Sequence, residues 1–65
     1  MRSLLSEIEI QQLRQLIQIT WDGNLMSKDA RNKLVERMYV QRLGGWNWLT
    51  KIGVKVLIDS GFLRA

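Results

Sequence analysis

The residues that could do chemistry fall in two places. Lys28, Arg31, Asn32 and Lys33 lie within six positions of one another, and Arg42, Asn47 and Lys51 flank the pair Gly44-Gly45. Lysine and arginine at this density suit phosphate oxygens, because each is a fixed cation with several donors. Asparagine adds a donor and an acceptor side by side, the pattern that matches the major-groove edge of adenine. Catalytic chemistry finds no such support. The chain has no histidine and no cysteine, which excludes thiolate nucleophiles, disulfides, zinc fingers and His-based triads. Its six carboxylates form no paired arrangement, and Gly44-Gly45 reads as a turn, with no phosphate-cradling glycine motif nearby. A non-enzyme without metal or cofactor is expected.

The charge distribution points the same way. The formal net charge is +4 over 65 residues. Residues 1–27 hold two bases against three carboxylates, and residues 28–65 hold eight against three. A basic half calls for an anionic partner, with duplex DNA first in line. No apolar run approaches the roughly 18 residues of a membrane span, and the N-terminal stretch turns polar too soon for a signal peptide. One soluble, cytoplasmic domain spanning 1–65 is the expectation. A core of this size is thin, and without disulfide or metal a second copy or another partner is a natural supplement.

The elements that must carry these residues follow from local signals. Ser6-Glu7-Ile8-Glu9 fits a capping box, with Leu5 and Ile10 at the hydrophobic-staple positions. The helix it opens presents Ile10, Leu13, Leu16, Ile17 and Trp21 on one face and Gln11, Gln12, Gln15 and Gln18 on the other. Trp21 is expected in the core, and Asp22-Gly23-Asn24 ends the helix. Leu25-Met26 reads as a short extended piece. Ser27 caps a helix of about 28–38 whose Ala30, Leu34 and Met38 line one face. Lys28, Asn32, Lys33 and Glu36 point away. Arg31 lies inside the apolar stripe, where its stem snorkels past the core or its head pairs with a carboxylate.

Two β-prone runs, Tyr39–Leu43 and Trp46–Thr50, flank Gly44-Gly45 and predict a tight hairpin. Its register pairs Leu43 with Trp46, Arg42 with Asn47, Gln41 with Trp48 and Val40 with Leu49. Alternation then places Leu43, Trp46, Gln41 and Trp48 on one face and Val40, Leu49, Arg42 and Asn47 on the other. Which face is buried is open: the two tryptophans either complete the core or form an outward patch with Leu43, a surface for a second copy or a host protein. Thr50 caps a final helix of about 51–60, with Gly61 at C′ and Phe62 near Leu57; the β-branched Ile52, Val54, Val56 and Ile58 leave a strand as the competing reading.

The order helix, short extended piece, helix, hairpin, helix resembles a compact winged helix-turn-helix, an α+β fold. Ser27–Arg37 resembles the recognition helix of such domains. Tyr39-Val40-Gln41-Arg42 resembles the "G-L-V-x-R" entry into the wing, with Met38 where the family most often has Gly. Trp48–Gly53 resembles the "x-L-T-x-x-G" that closes the wing over 39–50 and opens the next helix. The likeness is to small bacterial and phage transcriptional regulators of the MarR and PadR type, and covers residues 25–63. One long helix and a Trp21–Met26 link stand where the family has two helices, so the middle helix is either reduced to a turn or trimmed. The resemblance implies sequence-specific duplex DNA binding by a phage or mobile-element regulator acting as a homodimer. Its phosphate and base contacts would be Lys28, Arg31, Asn32, Lys33, Arg42, Asn47 and Lys51. The rival expectation is a protein-interaction module, an inhibitor or adaptor of a host protein, docking through Leu43, Trp46 and Trp48.

Overall fold

A computed structural model describes residues 5–64. In chain order it contains α1 (Glu7–Gln15), β1 (Thr20–Trp21), a 3-10 turn (Asp22–Asn24), α2 (Lys28–Glu36), β2 (Val40–Leu43), β3 (Trp46–Leu49) and α3 (Lys51–Asp59). The three strands form one antiparallel sheet in the order β1-β3-β2. The fold is therefore a small α+β domain. None of its described helices is long and apolar enough to cross a membrane.

Each helix starts where its side chains can satisfy the free N–H groups of its first turn. The Ser6 hydroxyl accepts the Glu9 N–H at 3.3 Å while the Glu9 carboxylate accepts the Ser6 N–H at 2.9 Å, completing the capping box. Ser27 accepts from the Ala30 N–H, and Thr50 from the Gly53 N–H, both at 3.1 Å. The ends of α2 and α3 share one geometry. At α3, Phe62 N–H donates to Leu57 C=O and Gly61 N–H to Ile58 C=O, with Gly61 at φ +84°. At α2, Tyr39 N–H donates to Leu34 C=O and Met38 N–H to Val35 C=O, with Met38 at φ +66°. Both are Schellman ends, and only one has the glycine that suits the left-handed position. Met38 thus lies beyond α2 and is exposed; it does not continue that helix's inner face as the spacing predicts.

The helix α1 is shorter than its periodicity suggests. It stops at Gln15, and Thr20–Trp21 become a strand paired to Asn47 and Trp46. The β-prone run Ile19-Thr20-Trp21 gains more from sheet bonds than from another helical turn. This corrects two expectations: Trp21 lies outside the core, and Ile17 is exposed as well. It also moves the short strand ahead of Leu25-Met26, where an extended piece was expected. Gln12, expected on the solvent face, is fully buried. Its Oε1 accepts the Ser27 N–H at 2.8 Å, and its Nε2–H donates to Gln15 Oε1 at 2.8 Å. Gln15 in turn donates to Asn24 C=O at 2.8 Å and accepts from Met26 N–H at 3.0 Å. Two glutamines thereby hold the 24–27 link against α1.

The core joins Leu13 of α1, Leu16 at its C-cap, Leu34 of α2, Val40 of β2 and Leu57 of α3. The hairpin is fixed to α3 at its root. Thr50 N–H donates to Tyr39 C=O at 3.1 Å, and the Thr50 hydroxyl donates to Met38 C=O at 2.6 Å while capping α3. A Cβ on Gly53 would sit 2.0 Å from the Tyr39 carbonyl oxygen, so only glycine lets the helix approach this closely. These two residues supply the physical content of the Leu49-Thr50-Lys51-Ile52-Gly53 motif.

Candidate functional site

The hairpin register matches the expected pairing at all four positions, from Val40 with Leu49 to Leu43 with Trp46. Gly44 and Gly45 both have positive φ, at +59° and +87°, as a two-residue type I′ loop requires. The open question of facing is settled by burial: Val40 and Asn47 lie inside, Leu43 and Trp46 outside.

The inner face near the turn is polar. Asp22, just after β1, is its centre. Its carboxylate accepts from Arg31 Nη1 at 2.8 Å, Asn47 Nδ2 at 2.8 Å and Arg42 Nε at 3.2 Å, and from Arg42 Nη2 as well. Asn47, fully buried, also donates to Thr20 C=O at 3.0 Å and accepts from Arg31 Nη1 at 3.0 Å. Among the described residues both ion pairs converge on Asp22. These contacts, led by the Arg42 and Asn47 hydrogen bonds, hold the Asp22 carboxyl well below its ordinary pKa of 3.8. The same contact raises Arg42. No buried side-chain nitrogen or oxygen among the described residues lacks a partner, so the cluster satisfies the rule that a buried polar network be complete.

This cluster takes up two of the residues expected as DNA contacts. Arg31 is only 8% exposed and Asn47 is fully enclosed, so neither reaches an external phosphate or base edge as placed. Of the two fates foreseen for Arg31, pairing with a carboxylate is the one realised. Arg42 keeps an exposed side chain while bonded to Asp22. Lys28, Asn32, Lys33 and Lys51 are exposed. Asn32 Oδ1 accepts from Arg31 Nε at 2.7 Å, which ties the exposed amide to the buried cluster. The structure thus joins α2, β1 and the hairpin into one unit, with Lys28, Asn32 and Lys33 outside it and Arg42 at its rim.

The outer face is aromatic. Leu43 is 69% exposed, Trp46 48% and Trp21 46%, and they form one row across the sheet. Trp21 and Trp46 meet edge to face at 5.2 Å, the preferred geometry for two ring quadrupoles. Trp21 also lies over Gly45, where a Cβ would come within 2.5 Å of its ring. Trp48 is half-buried and lines an apolar groove of about 390 Å³ with Ile17, Ile19, Leu49 and Val54. Two of these features were not foreseen from the sequence: Asp22 as the hub, and Trp21 as a third member of the outer row. The alternation Ile19-Thr20-Trp21 is the signal that could have found the second. Comparison with family models, with curated proteins and with solved structures finds no match to this chain.

Proposed function

We propose that the chain is a small sequence-specific DNA-binding protein of winged-helix type, a transcriptional regulator of phage or mobile-element kind. The observation that carries the reading is the mounting of α2. Ala30, Arg31 and Leu34 anchor it inward, while Lys28, Asn32 and Lys33 stay exposed, and neither lysine has an ion pair among the described residues. A helix held this way can enter a major groove as a rigid body. The lysines supply phosphate contacts, and Asn32 supplies a base-edge contact. Arg42, held in place by Asp22 beside the Gly44-Gly45 turn, and Lys51 at the start of α3 extend the cationic surface along the hairpin. The α+β element order, with the hairpin directly after α2, supports the same assignment.

The test is a titration of labelled random duplex DNA at several salt concentrations. Binding is expected to weaken linearly in log K against log salt, by about 0.9 for each phosphate contact. The double substitution Lys28→Ala, Lys33→Ala is expected to reduce that slope by about 2. A duplex left unshifted by micromolar protein at low salt would sink the reading.

A further inference from the structure

We infer that the outer face of the sheet is the surface through which two copies of this chain pair. Its side chains are Trp21, Gln41, Leu43, Trp46 and Trp48, continued by Ile19 along the groove. None of the six is charged, in a chain where a quarter of the residues are.

Three observations select a second copy as the occupant. The first is charge. The chain carries +4 overall, so two copies repel each other least through a region free of bases. The outer sheet face meets that condition, and an isologous twofold contact would set this uncharged patch against itself. A foreign partner chosen for this basic protein would find no charge here to recognise. The second is area. Trp21, Trp46, Leu43 and Ile19 are each exposed by about half or more. With roughly 100 Å² each, plus part of Trp48, they offer about 450 Å² per copy, the size of the largest apolar patch a monomer leaves bare, which is often functional. Two such faces sum to about 900 Å², and the exposed Gln41 on the same face brings them toward the roughly 1,000 Å² where specific interfaces begin. The third is the core. It is built from four leucines and a valine, and no tryptophan is fully buried. The largest apolar side chains of a 65-residue chain therefore lie where a second copy would complete what this thin core lacks. The face is also preorganised: Trp21 is seated on Gly45 and set edge to face with Trp46, so little freedom is lost on pairing.

The inference does not depend on DNA binding, and its test contains no DNA. Sedimentation equilibrium of the full chain from about 1 to about 100 µM reads the mass, and tryptophan emission reads the face. The expected result is a mass twice 7.6 kDa at the upper end, with emission shifting to the blue as the copies pair. Leu43→Asp and, independently, Ile19→Glu are expected to weaken pairing at least tenfold while far-UV circular dichroism stays unchanged. Lys28→Ala is expected to leave it intact. A single-copy mass throughout the range would overturn the inference, as would a dimer indifferent to both acidic substitutions. A monomer that captures a foreign protein through Trp46 would overturn it in favour of a heterologous partner.

Discussion

The two faces of the sheet invert the usual arrangement. Toward α2 and the core, the end near the turn is a network of Asp22, Arg31, Arg42 and Asn47; toward the outside lie Trp21, Leu43 and Trp46. Polar groups inside and indoles outside would be unfavourable if either were left unpartnered. The inner face is complete within the chain, since its donors and acceptors bond one another. The outer face is complete only as far as Trp21 and Trp46 cover each other and Gly45. The lesson is that the inner network serves to join α2, β1 and the hairpin, whereas the outer row is surface held ready for contact.

Adjacent positions on the two faces give the sharpest test, because both can take the same new residue. Asn47→Leu places an apolar side chain where Arg31, Asp22 and Thr20 each have a hydrogen-bond partner. Leaving those buried groups short is expected to destabilise the fold by about 2–3 kcal/mol. Trp46→Leu keeps an apolar group on the outer row and loses mainly the ring pair, about 1 kcal/mol. Urea unfolding of both variants measures the difference. Equal losses would break the distinction between a network that holds the fold together and a row that does not.

The network also has a pH signature. Asp22 is held well below its ordinary pKa of 3.8 in the folded chain. A depressed folded pKa adds stability that is fully present above the unfolded value and is lost as pH falls through the folded one. Thermal melts from neutral pH down to about pH 2 should therefore show wild type losing stability more steeply below about pH 4 than Asp22→Asn. Contributions common to both proteins cancel in the comparison. Parallel acid limbs would show that the Asp22 charge does not hold the inner face together.

How much of this was legible in the sequence depends on range. The caps at Ser6, Ser27 and Thr50, the Gly44-Gly45 turn and the Gly61 end are each decided within a few residues, and all were read from their local motifs. The hairpin register followed from the turn, because a two-residue loop leaves no choice of pairing. Long-range partners were not legible. Gln12 and Gln15 look like solvent residues by periodicity, yet their amides are taken up by backbone groups of the 24–27 link. Arg31 and Asn47 look like nucleic-acid contacts by type, but Asp22, nine residues from one and twenty-five from the other, draws both inward. Trp21 was misplaced for the same reason: its strand forms only because β3 is there to pair with it. The cationic residue types on α2, on which the proposed function rests, are plain in the sequence, whereas the difference between the two sheet faces required the fold.

The smallest expected effect lies at the root from which both faces start. Met38 occupies the left-handed position that Gly61 fills at the equivalent end of α3, at φ +66° against +84°. A side chain there costs about 1–2 kcal/mol against the following carbonyl. Glycine relieves that strain but adds freedom to the unfolded chain, which offsets about 0.4–1 kcal/mol. Met38 is 67% exposed, so little packing is lost with it. Met38→Gly should then stabilise the protein by about 0.5–1 kcal/mol, a rise of a few degrees in Tm. The carbonyl of residue 38 still accepts from Thr50, so the hairpin root and the exposure of Trp46 should be unchanged in tryptophan emission. A Tm that stays level or falls would mean that the methionine side chain contributes more than its strained backbone costs.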